Sequence, residues 1–396
     1  MDRILRLKNP ILDYAWGSKT AIADLLGLPS PSEGSQAEMW MGAHPKAPSS
    51  VLWNGRRVSL AELIDRHPGA VLGDGVVEKF GPRLPYLFKV LAAAAPLSIQ
   101  AHPNRVQARQ GFERENAAGI ALDAPHRNYR DENHKPECLC ALTPFWGLCG
   151  FRQIEDMLDY FARLGVSGLD DELALLRRGD LKGFFEAALR LEDDRRRRVT
   201  AEVRDLARSV EADDPVFRWI VSLHRSYPDD IGILAPILLN LVCLKPGQAM
   251  FLDSGQLHAY LEGTGIELMA SSDNVLRGGL TPKHVDVSEL MRVLRFEQGS
   301  VAVLAAQPDR ECERRYPCAA EEFALSVIEV TERCPYRSRT DRSVEILLCT
   351  AGRLRAVEAA GRQTLLEKGA AVLVPAAVEA YRIEGSGTLY KASVPI

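Results

Sequence analysis

The chain has 396 residues, of which 46% are hydrophobic and 26% charged, and its formal net charge is −4. At ~150 residues per domain, this length allows two or three domains with cores of their own, and the composition is that of an ordinary globular protein. Neither the small net charge nor any apolar run points to a nucleic-acid partner or to a membrane-spanning helix, which would need ~20 apolar residues.

The start of the chain and its cysteines indicate a reducing compartment. No apolar signal segment follows Met1-Asp2-Arg3, so we expect a cytoplasmic protein. The cysteines form no Cys-x-x-Cys pair and no cluster at zinc-finger spacing. We therefore expect free, mostly buried thiols rather than disulfides.

Residues 1–150 are predicted to form short β-strands, because Gly and Pro interrupt their apolar stretches every few residues. The dipeptide Asn54-Gly55 is typical of a two-residue hairpin turn. The stretch PYLFKVLAAAA at residues 85–95 is apolar enough for a buried strand, and it leads into PLSIQAHPN at residues 96–104.

Residues 151–240 have the periodicity of helices instead. Apolar residues follow an i, i+3, i+4, i+7 pattern at Ile154, Met157, Leu158, Phe161 and Leu164. A thinner apolar stripe on a second helix consists of Val199, Val203, Leu206 and Val210. The arginines at 195–198 have acidic neighbours, so we interpret them as a solvated helix face rather than a nucleic-acid site.

Strand patterns return after residue 240. The segment GQAMFLDSGQLHAYLEGTGIELMASSDN alternates apolar and polar residues, and its Gly-Thr-Gly at residues 263–265 predicts a hairpin turn. Alternation places His258, Tyr260 and Glu262 on one face of this strand. Further β-like stretches are FALSVIEVTE, VEILLCTAG, AAVLVPAAV and GTLYKASV.

These patterns predict a mainly β protein with an α insert. We expect one β domain formed by residues 1–150 and 241–300, a helical insert domain at residues 151–240, and a C-terminal β domain at residues 301–396. Many short strands favour sandwiches or barrels over a parallel α/β sheet.

Several metal-ligating residue types occur in these apolar strands. Gln100 and His102 stand two residues apart and share a strand face, Glu137 begins the apolar run in NHKPECLCAL, and His258 lies on a third strand. Amide oxygen, imidazole and carboxylate suit a borderline divalent metal and leave a coordination position open, as in catalytic sites. Spacing alone cannot bring such distant segments together, so ordinary core or surface roles for these residues stay open at this point.

Basic residues accompany the same segments. Lys89 lies inside an apolar strand, where an ammonium needs a partner or a task. Lys135 lies in HKPE, and Arg277 and Lys283 lie in NVLRGGLTPKH, a Gly-rich and Pro-rich segment that suits an anionic oxygen or a phosphate. No nucleotide-binding glycine motif competes for that role.

In these motifs the sequence resembles the family of type I mannose-6-phosphate isomerases (phosphomannose isomerases), which are zinc enzymes of cupin architecture. The resemblance covers nearly the whole chain and depends on QAHP, NHKPE and SDNVLRGGLTPK in this order. It implies cupin, jelly-roll β-sandwich domains with an inserted helical domain. From about residue 300 onward the match is only one of general β character.

The resemblance also implies a set of functional residues. It places one zinc ion per chain on Gln100, His102, Glu137 and His258. The substrate-binding positions that it implies are Trp16, Glu38, Lys89, Ser98, Tyr260 and Lys283. The implied catalytic positions are Arg277, Lys135 and Glu267, to which the adjacent His134 adds a side chain with a suitable unperturbed pKa.

The implied reaction interconverts D-mannose 6-phosphate and D-fructose 6-phosphate by moving a proton between C2 and C1 through a cis-enediol. Such a reaction needs a cation for the charge on the sugar oxygens and a positioned base. The phosphate needs cations, for which Arg277 and Lys283 are the candidates, although Arg277 or Lys89 could equally stabilise the enediolate. The candidate bases are His134, Lys135 and Glu267.

Two other functions stay open on the residues alone. Two histidines and a carboxylate also form the triad of a non-heme iron cupin oxygenase, but oxygen activation has no need of the nearby cations. A non-catalytic sugar-phosphate-binding cupin would keep the pocket without turnover. In each case we expect a small-molecule sugar phosphate or related ligand, no nucleic-acid or membrane partner, and a monomer.

Overall fold

The computed structural model describes residues 1–212 and 214–396. The N-terminal part contains the strands β1 (Leu5–Arg6), β2 (Ile11–Leu12), β3 (Glu38–Met41), β4 (Ser50–Trp53), β5 (Arg56–Ser59), β6 (Tyr86–Ala93), β7 (Ile99–Ala101), β8 (Glu137–Ala141) and β9 (Phe145–Phe151). Its helices are α1 (Ala21–Leu26), α2 (Leu60–Arg66), α3 (Pro68–Leu72), α4 (Asp74–Phe80) and α5 (Arg105–Ala117).

A helical block follows and then strands return. The block contains α6 (Ile154–Leu164), α7 (Asp170–Arg177), α8 (Leu181–Leu189), α9 (Asp193–Val210), α10 (Pro215–Ser226), a 3₁₀ turn (Ile231–Leu234) and α11 (Ala235–Leu238). The next elements are β10 (Leu239–Leu244), β11 (Gln248–Leu252), β12 (His258–Ala270), β13 (Leu276–Gly279), α12 (Val287–Val293) and β14 (Leu304–Ala305). The last strands are β15 (Gln307–Arg310), β16 (Glu313–Arg315), β17 (Ala324–Val330), β18 (Tyr336–Arg337), β19 (Glu345–Glu358), β20 (Gln363–Glu367), β21 (Ala371–Val374) and β22 (Tyr381–Ser393).

Two large antiparallel sheets contain these strands except β4 and β5, which form a two-stranded sheet of their own. The first has the order β14-β11-β8-β12-β6-β3-β2, and β7, β9, β10 and β13 extend it. The second has the order β1-β21-β19-β22-β17-β16-β15, with β18 and β20 attached. The two sheets exchange short strands, because β1 from the N-terminal end joins the second sheet and β14 joins the first. The predicted class, mainly β with an α insert, is confirmed.

Strand β6 shows how the sequence directs the layers. All of its residues are buried, and its side chains alternate between two environments. Phe88 and Val90 enter a core that also contains Leu348 and Tyr390 of the second sheet, so this core joins the two sheets. Leu91 on the opposite face belongs to a separate cluster inside the first sheet. The helical block packs on the first sheet through a third and larger core.

Several predictions of local structure are confirmed. Helix α6 spans Ile154–Leu164, as the periodicity indicates. Asn54 and Gly55 both have positive φ and connect β4 to β5 in a hairpin. Arg196 and Arg197 pair with aspartates one turn earlier on helix α9, as expected of a solvated face. No helix among the described residues is both long enough and apolar enough to cross a membrane.

The predicted hairpin at residues 263–265 is wrong. Strand β12 continues from His258 to Ala270 and pairs first with β9 and then with β8. Glycines occur here because the backbones approach closely, and a Cβ on Gly263 would lie 2.7 Å from the carbonyl oxygen of Pro144. The register also shifts between Tyr260 and Glu262, so Glu262 is exposed instead of sharing the inner face with His258.

The cysteines follow the prediction only in part. Four of the six free thiols are buried, those of Cys138, Cys140, Cys149 and Cys349. Cys312 and Cys334, however, form a disulfide, which contradicts the expectation of free thiols for this pair. Cys334 ends the turn at Thr331–Cys334, which lies beside Cys312 in the fold. The spacing of the two cysteines in the sequence does not reveal this proximity.

The core between the sheets generates a test of stability. Phe88→Ala would remove a fully buried ring from this core, and we expect it to destabilise the protein by about 3–5 kcal/mol. The measurement is the midpoint of urea unfolding followed by circular dichroism. Leu52→Ala is the control, because Leu52 is 60% exposed and such surface changes stay within about 0.5 kcal/mol. Equal midpoints for the two variants would contradict this account of the core.

Candidate metal centre

Three strands or strand ends converge on one buried carboxylate. Glu137 is the first residue of β8, His258 is the first of β12, and His102 directly follows β7. His102 Nε2 lies 3.3 Å from Glu137 Oε1, and His258 Nε2 lies 3.5 Å from Glu137 Oε2. One ligand atom from each of the three residues lies within 4.8 Å of the others, and all three side chains are buried.

Hydrogen bonds aim both imidazoles at this centre. His102 Nδ1 donates to the main-chain oxygen of Asn274 at 2.8 Å, and His258 Nδ1 donates to that of Gln256 at 2.9 Å. Each ring therefore carries its hydrogen on Nδ1 and turns the lone pair of Nε2 inward. His102 Nε2 is fully buried and has no hydrogen bond of acceptable geometry among the described residues. A buried acceptor without a partner is costly, so this atom fits a metal ion better than it fits an apolar core.

The protonation states agree with metal binding. Burial, together with the positive charge of Lys135, lowers the pKa of His102 to about 4, so the ring is neutral. Burial opposes ionisation of Glu137, but Lys135 and the histidines hold the pKa of its carboxyl well below the ordinary value. Neutral imidazoles and an ionised carboxylate are the forms that bind a divalent cation. The donor set therefore fits zinc.

Gln100, a candidate ligand named from the sequence, lies in the middle of strand β7. It pairs with His258 of β12 on one side and with Arg277 of β13 on the other. Directly paired residues project to the same face, so these three side chains lie side by side across three strands. Gln100 Nε2 donates to Ser98 Oγ at 3.1 Å, which leaves its Oε1 as the possible fourth ligand atom.

A small cavity of about 60 Å³ adjoins the centre. Most of the predicted site residues line it, namely Glu38, Lys89, Ser98, Gln100, Lys135, Glu137, His258, Tyr260 and Glu267. This volume is below the ~300 Å³ at which small-molecule sites usually begin, so the cavity can hold only part of a ligand of sugar size. Trp16 packs on the apolar cluster that forms the wall of the cavity.

Charge inside the cavity is balanced by short contacts. Lys89 Nζ lies 2.8 Å from Glu267 Oε2 and 3.6 Å from Glu38 Oε1, and Lys135 Nζ lies 3.0 Å from Glu137 Oε1. Burial works against the ammonium of Lys89, but Glu267 and Glu38 outweigh it and raise the pKa of Lys89. Burial raises the pKa of Glu267 despite the nearby ammonium. Of the carboxyl groups that line the cavity, Glu267 therefore has a raised pKa and Glu137 a lowered one.

A second group of charged side chains is entirely positive. Arg277 and Lys283 lie near Arg130, and the pKa values of Arg277 and Lys283 are lowered by burial and by this mutual repulsion. Within residues 1–212 and 214–396, none of the three has a carboxylate oxygen within 4.0 Å, whereas Lys89 and Lys135 both do. None of the three lines the small cavity, but Arg277 pairs with Gln100 across the strands, and an uncompensated cation group at that place is suited to a phosphate. Arg130 is not among the residues predicted from the sequence. The signal that could have identified it is its position four residues before His134, in the loop that leads to Glu137.

His134 lies apart from the other candidates. Its Nε2 lies 2.7 Å from Glu322 Oε1 and 3.1 Å from a guanidinium nitrogen of Arg105. It lines a different cavity, of about 220 Å³, together with residues of helix α4 and Glu322. Successive side chains of an extended segment point in opposite directions, so the neighbour of Lys135 faces away from the metal. The geometry therefore does not support His134 as the base.

The chain matches one family of known proteins. Residues 4–154 match the model for the catalytic domain of type I phosphomannose isomerase. The mannose-6-phosphate isomerase of Salmonella typhimurium is 39% identical over 97% of this chain and 98% of its own length, and the rat enzyme of that name is 35% identical over 90% and 89%. A crystal structure of zinc-bound mannose 6-phosphate isomerase superposes with a TM-score of 0.92 at 36% identity, covering 99% of this chain and 100% of that one. The chain therefore belongs to the type I mannose-6-phosphate isomerase family.

Proposed function

We propose that this chain is a zinc-dependent aldose–ketose isomerase that interconverts D-mannose 6-phosphate and D-fructose 6-phosphate. The observation that carries the proposal is the convergence of His102, Glu137 and His258 beside a cavity lined by ionisable groups. The family relatives are isomerases of this kind, which supports this function over an iron-dependent oxygenase or a binding protein without turnover. A coupled assay that detects fructose 6-phosphate formed from mannose 6-phosphate tests it directly.

The metal ligands proposed are Gln100, His102, Glu137 and His258. Zinc bound there would act as a Lewis acid toward the C1 and C2 oxygens of the open-chain sugar. The chain's own part is to hold two neutral imidazoles and one carboxylate in a buried, fixed arrangement before the metal binds. Gln100 adds a neutral oxygen, so the ligand set carries a single negative charge and leaves the ion electrophilic.

We assign proton transfer to Glu267, in preference to Lys135 and His134. Glu267 lines the cavity, and burial raises the pKa of its carboxyl toward the range of an effective general base. Lys89 lies 2.8 Å from it and would stabilise the carboxylate that re-forms when Glu267 returns the proton. Lys135 also lines the cavity, and its ammonium is placed to donate a hydrogen bond to a sugar oxygen.

Substrate binding is proposed to use two parts of the site. Arg277, Lys283 and Arg130 form the cation group that would bind the phosphate, because no acidic side chain neutralises them within the described structure. Glu38, Ser98 and Tyr260 line the cavity and would bind sugar hydroxyls, with Trp16 bordering the apolar wall. The substrate would therefore lie with its phosphate toward β13 and its carbonyl end toward Glu137.

We also propose that the chain acts as a monomer in the cytoplasm and that it comprises the three predicted domains, residues 1–150 with 241–300, residues 151–240 and residues 301–396. All candidate metal ligands and all three phosphate-binding cations come from one chain, so a partner subunit is not needed to complete the centre. The six free thiols agree with a reducing compartment, although Cys312 and Cys334 are paired. Light scattering coupled to gel filtration tests the monomeric state.

Replacing the central carboxylate should remove metal and activity together. We expect Glu137→Gln to weaken zinc binding by about 100-fold or more and to lose turnover in proportion, because an amide cannot balance the cation's charge. Zinc content is measured by atomic absorption on dialysed protein, alongside the coupled assay. Glu132→Gln, an exposed change in the same loop, is the control and should retain both. Full turnover of Glu137→Gln at low zinc would contradict the assignment of Glu137 as a zinc ligand.

Removing a phosphate-binding cation should leave the metal in place. We expect Arg277→Ala to raise KM for mannose 6-phosphate about 10- to 100-fold, the effect of losing a charge-assisted hydrogen bond, with zinc content unchanged. Arg292→Ala serves as the control, since its side chain is 68% exposed on helix α12. An unchanged KM, or a parallel loss of zinc, would contradict the proposed role.

Removing the proposed base should lower kcat selectively. We expect Glu267→Gln to reduce kcat about 100- to 10,000-fold, the range of general-base catalysis, while zinc stays bound. Glu262→Gln is the matched control, because Glu262 lies on the same strand but is exposed. If Glu267→Gln retained its kcat while Lys135→Met lost it, proton transfer would have to be reassigned to Lys135.

A further inference from the structure

Asn274 is a fully buried polar residue for which the proposed reaction has no direct use. It belongs to the SDN part of the motif SDNVLRGGLTPK, in the connection between β12, which carries Glu267, and β13, which carries Arg277. It does not line the metal cavity. Its hydrogen bonds instead reach two other segments of the site, His102 and residues 130–133.

The first contact is with a metal ligand. The main-chain oxygen of Asn274 accepts the hydrogen bond from His102 Nδ1 at 2.8 Å, while the other ring nitrogen faces Glu137. The position of this one carbonyl therefore determines both the tautomer and the direction of the His102 ring. The main-chain N–H of Asn274 donates to Ser272 Oγ at 3.2 Å. This bond helps to hold the main chain of Asn274, and with it the carbonyl group that binds His102.

The second set of contacts goes to the loop that leads to Lys135 and Glu137. The carboxamide oxygen of Asn274 accepts from the N–H groups of Arg130 and Asp131, at 2.7 and 3.2 Å. Its nitrogen donates to the main-chain oxygens of Asp131 and Asn133, at 2.8 and 2.9 Å. One end of the amide meets only donors and the other meets backbone acceptors, so a single orientation satisfies the whole group.

Asp131 completes the connection from the opposite side. Its carboxylate accepts from the N–H of Asn133, from Ser272 Oγ and from the N–H of Asp273, at 2.9, 2.9 and 2.8 Å. Residues 130–133 and 272–274 are thus joined by reciprocal hydrogen bonds from side chains to main chains. Separating the two segments would break all of these bonds and leave buried polar groups without partners, so the two loops are expected to move together.

We infer that Asn274 is a positioning residue that couples the affinity for zinc to the affinity for the phosphate group. The main-chain carbonyl of Asn274 orients His102, and its carboxamide binds the main-chain N–H of Arg130. Asn274 also lies three residues before Arg277. The zinc ligands and the cations of the phosphate site therefore share one rigid support. The inference rests on the proposed function for its phosphate arm, whereas its zinc arm is measured without substrate.

The experiment compares Asn274→Ala with Asn128→Ala in the full-length chain. Asn128 lies at the start of the same loop and makes a side-chain bond to Asp286 rather than to the interlocked segments. Zinc dissociation constants are obtained by competition with a chromophoric chelator in the absence of any sugar. For Asn274→Ala we expect a dissociation constant raised by about 10- to 100-fold, the usual effect of losing an outer-sphere partner of a metal ligand.

A second readout separates positioning from general destabilisation. At saturating zinc, we expect Asn274→Ala to recover much of its kcat but to keep a raised KM for mannose 6-phosphate, because Arg130 and Arg277 stay displaced. A loss of stability alone would lower the thermal midpoint but would not raise KM while kcat recovers. Absence of isomerase activity in the unaltered chain would refute the proposed function but would leave the zinc comparison valid.

A milder change guards against failure to fold. Ser272→Ala removes the hydroxyl that joins Asn274 to Asp131 and keeps the rest of the network. We expect the same effects on zinc affinity and KM, smaller in size. Zinc dissociation constants within about twofold of the unaltered chain in both Asn274→Ala and Ser272→Ala would overturn the inference, as would equal effects in Asn128→Ala.

Discussion

The burial of the Glu137 carboxylate between two imidazoles is the interaction on which the rest of the site depends. A carboxylate taken out of water is unfavourable unless opposite charge and hydrogen bonds compensate it. Lys135, Tyr260 and the two histidines surround this one within 3.0 to 3.5 Å. The compensation remains incomplete at His102 Nε2, and a divalent cation would complete it.

The remaining charges of the site fall into two classes with different consequences. The Lys89–Glu267–Glu38 group is buried and pairs one ammonium with two carboxyl groups. The group of Arg130, Arg277 and Lys283 is positive and more open to solvent. In the proposed binding mode this separation would give the substrate a direction, with the phosphate attracted to the cation group and the reacting carbons at the other end of the site.

The β-framework supplies the rigidity that such an arrangement needs. His258, Gln100 and Arg277 are held side by side by the pairing of β12, β7 and β13, and apolar cores cover the strands on both faces. Where the ligands lie at strand ends, polar contacts replace apolar packing, as between residues 130–133 and 272–274. Close contact between β13 and the helical block also requires Gly279, because its φ is 134° and a Cβ there would lie only 3.2 Å from the Cα of Gly232.

The sequence by itself determined the local features. The apolar stretch of β6, the helical periodicity of α6 and the Asn54-Gly55 turn are short-range patterns that tertiary packing left intact, and the motifs QAHP, NHKPE and SDNVLRGGLTPK pointed to the family and to its metal. Only the tertiary structure decided that β12 runs straight through residues 263–265, that Glu262 turns outward, that His134 pairs with Glu322, and that Arg130 joins Arg277. Each of these depends on a strand register, a bulge or a contact between residues far apart in the chain. The energies of such contacts are set by neighbours that a linear pattern does not contain.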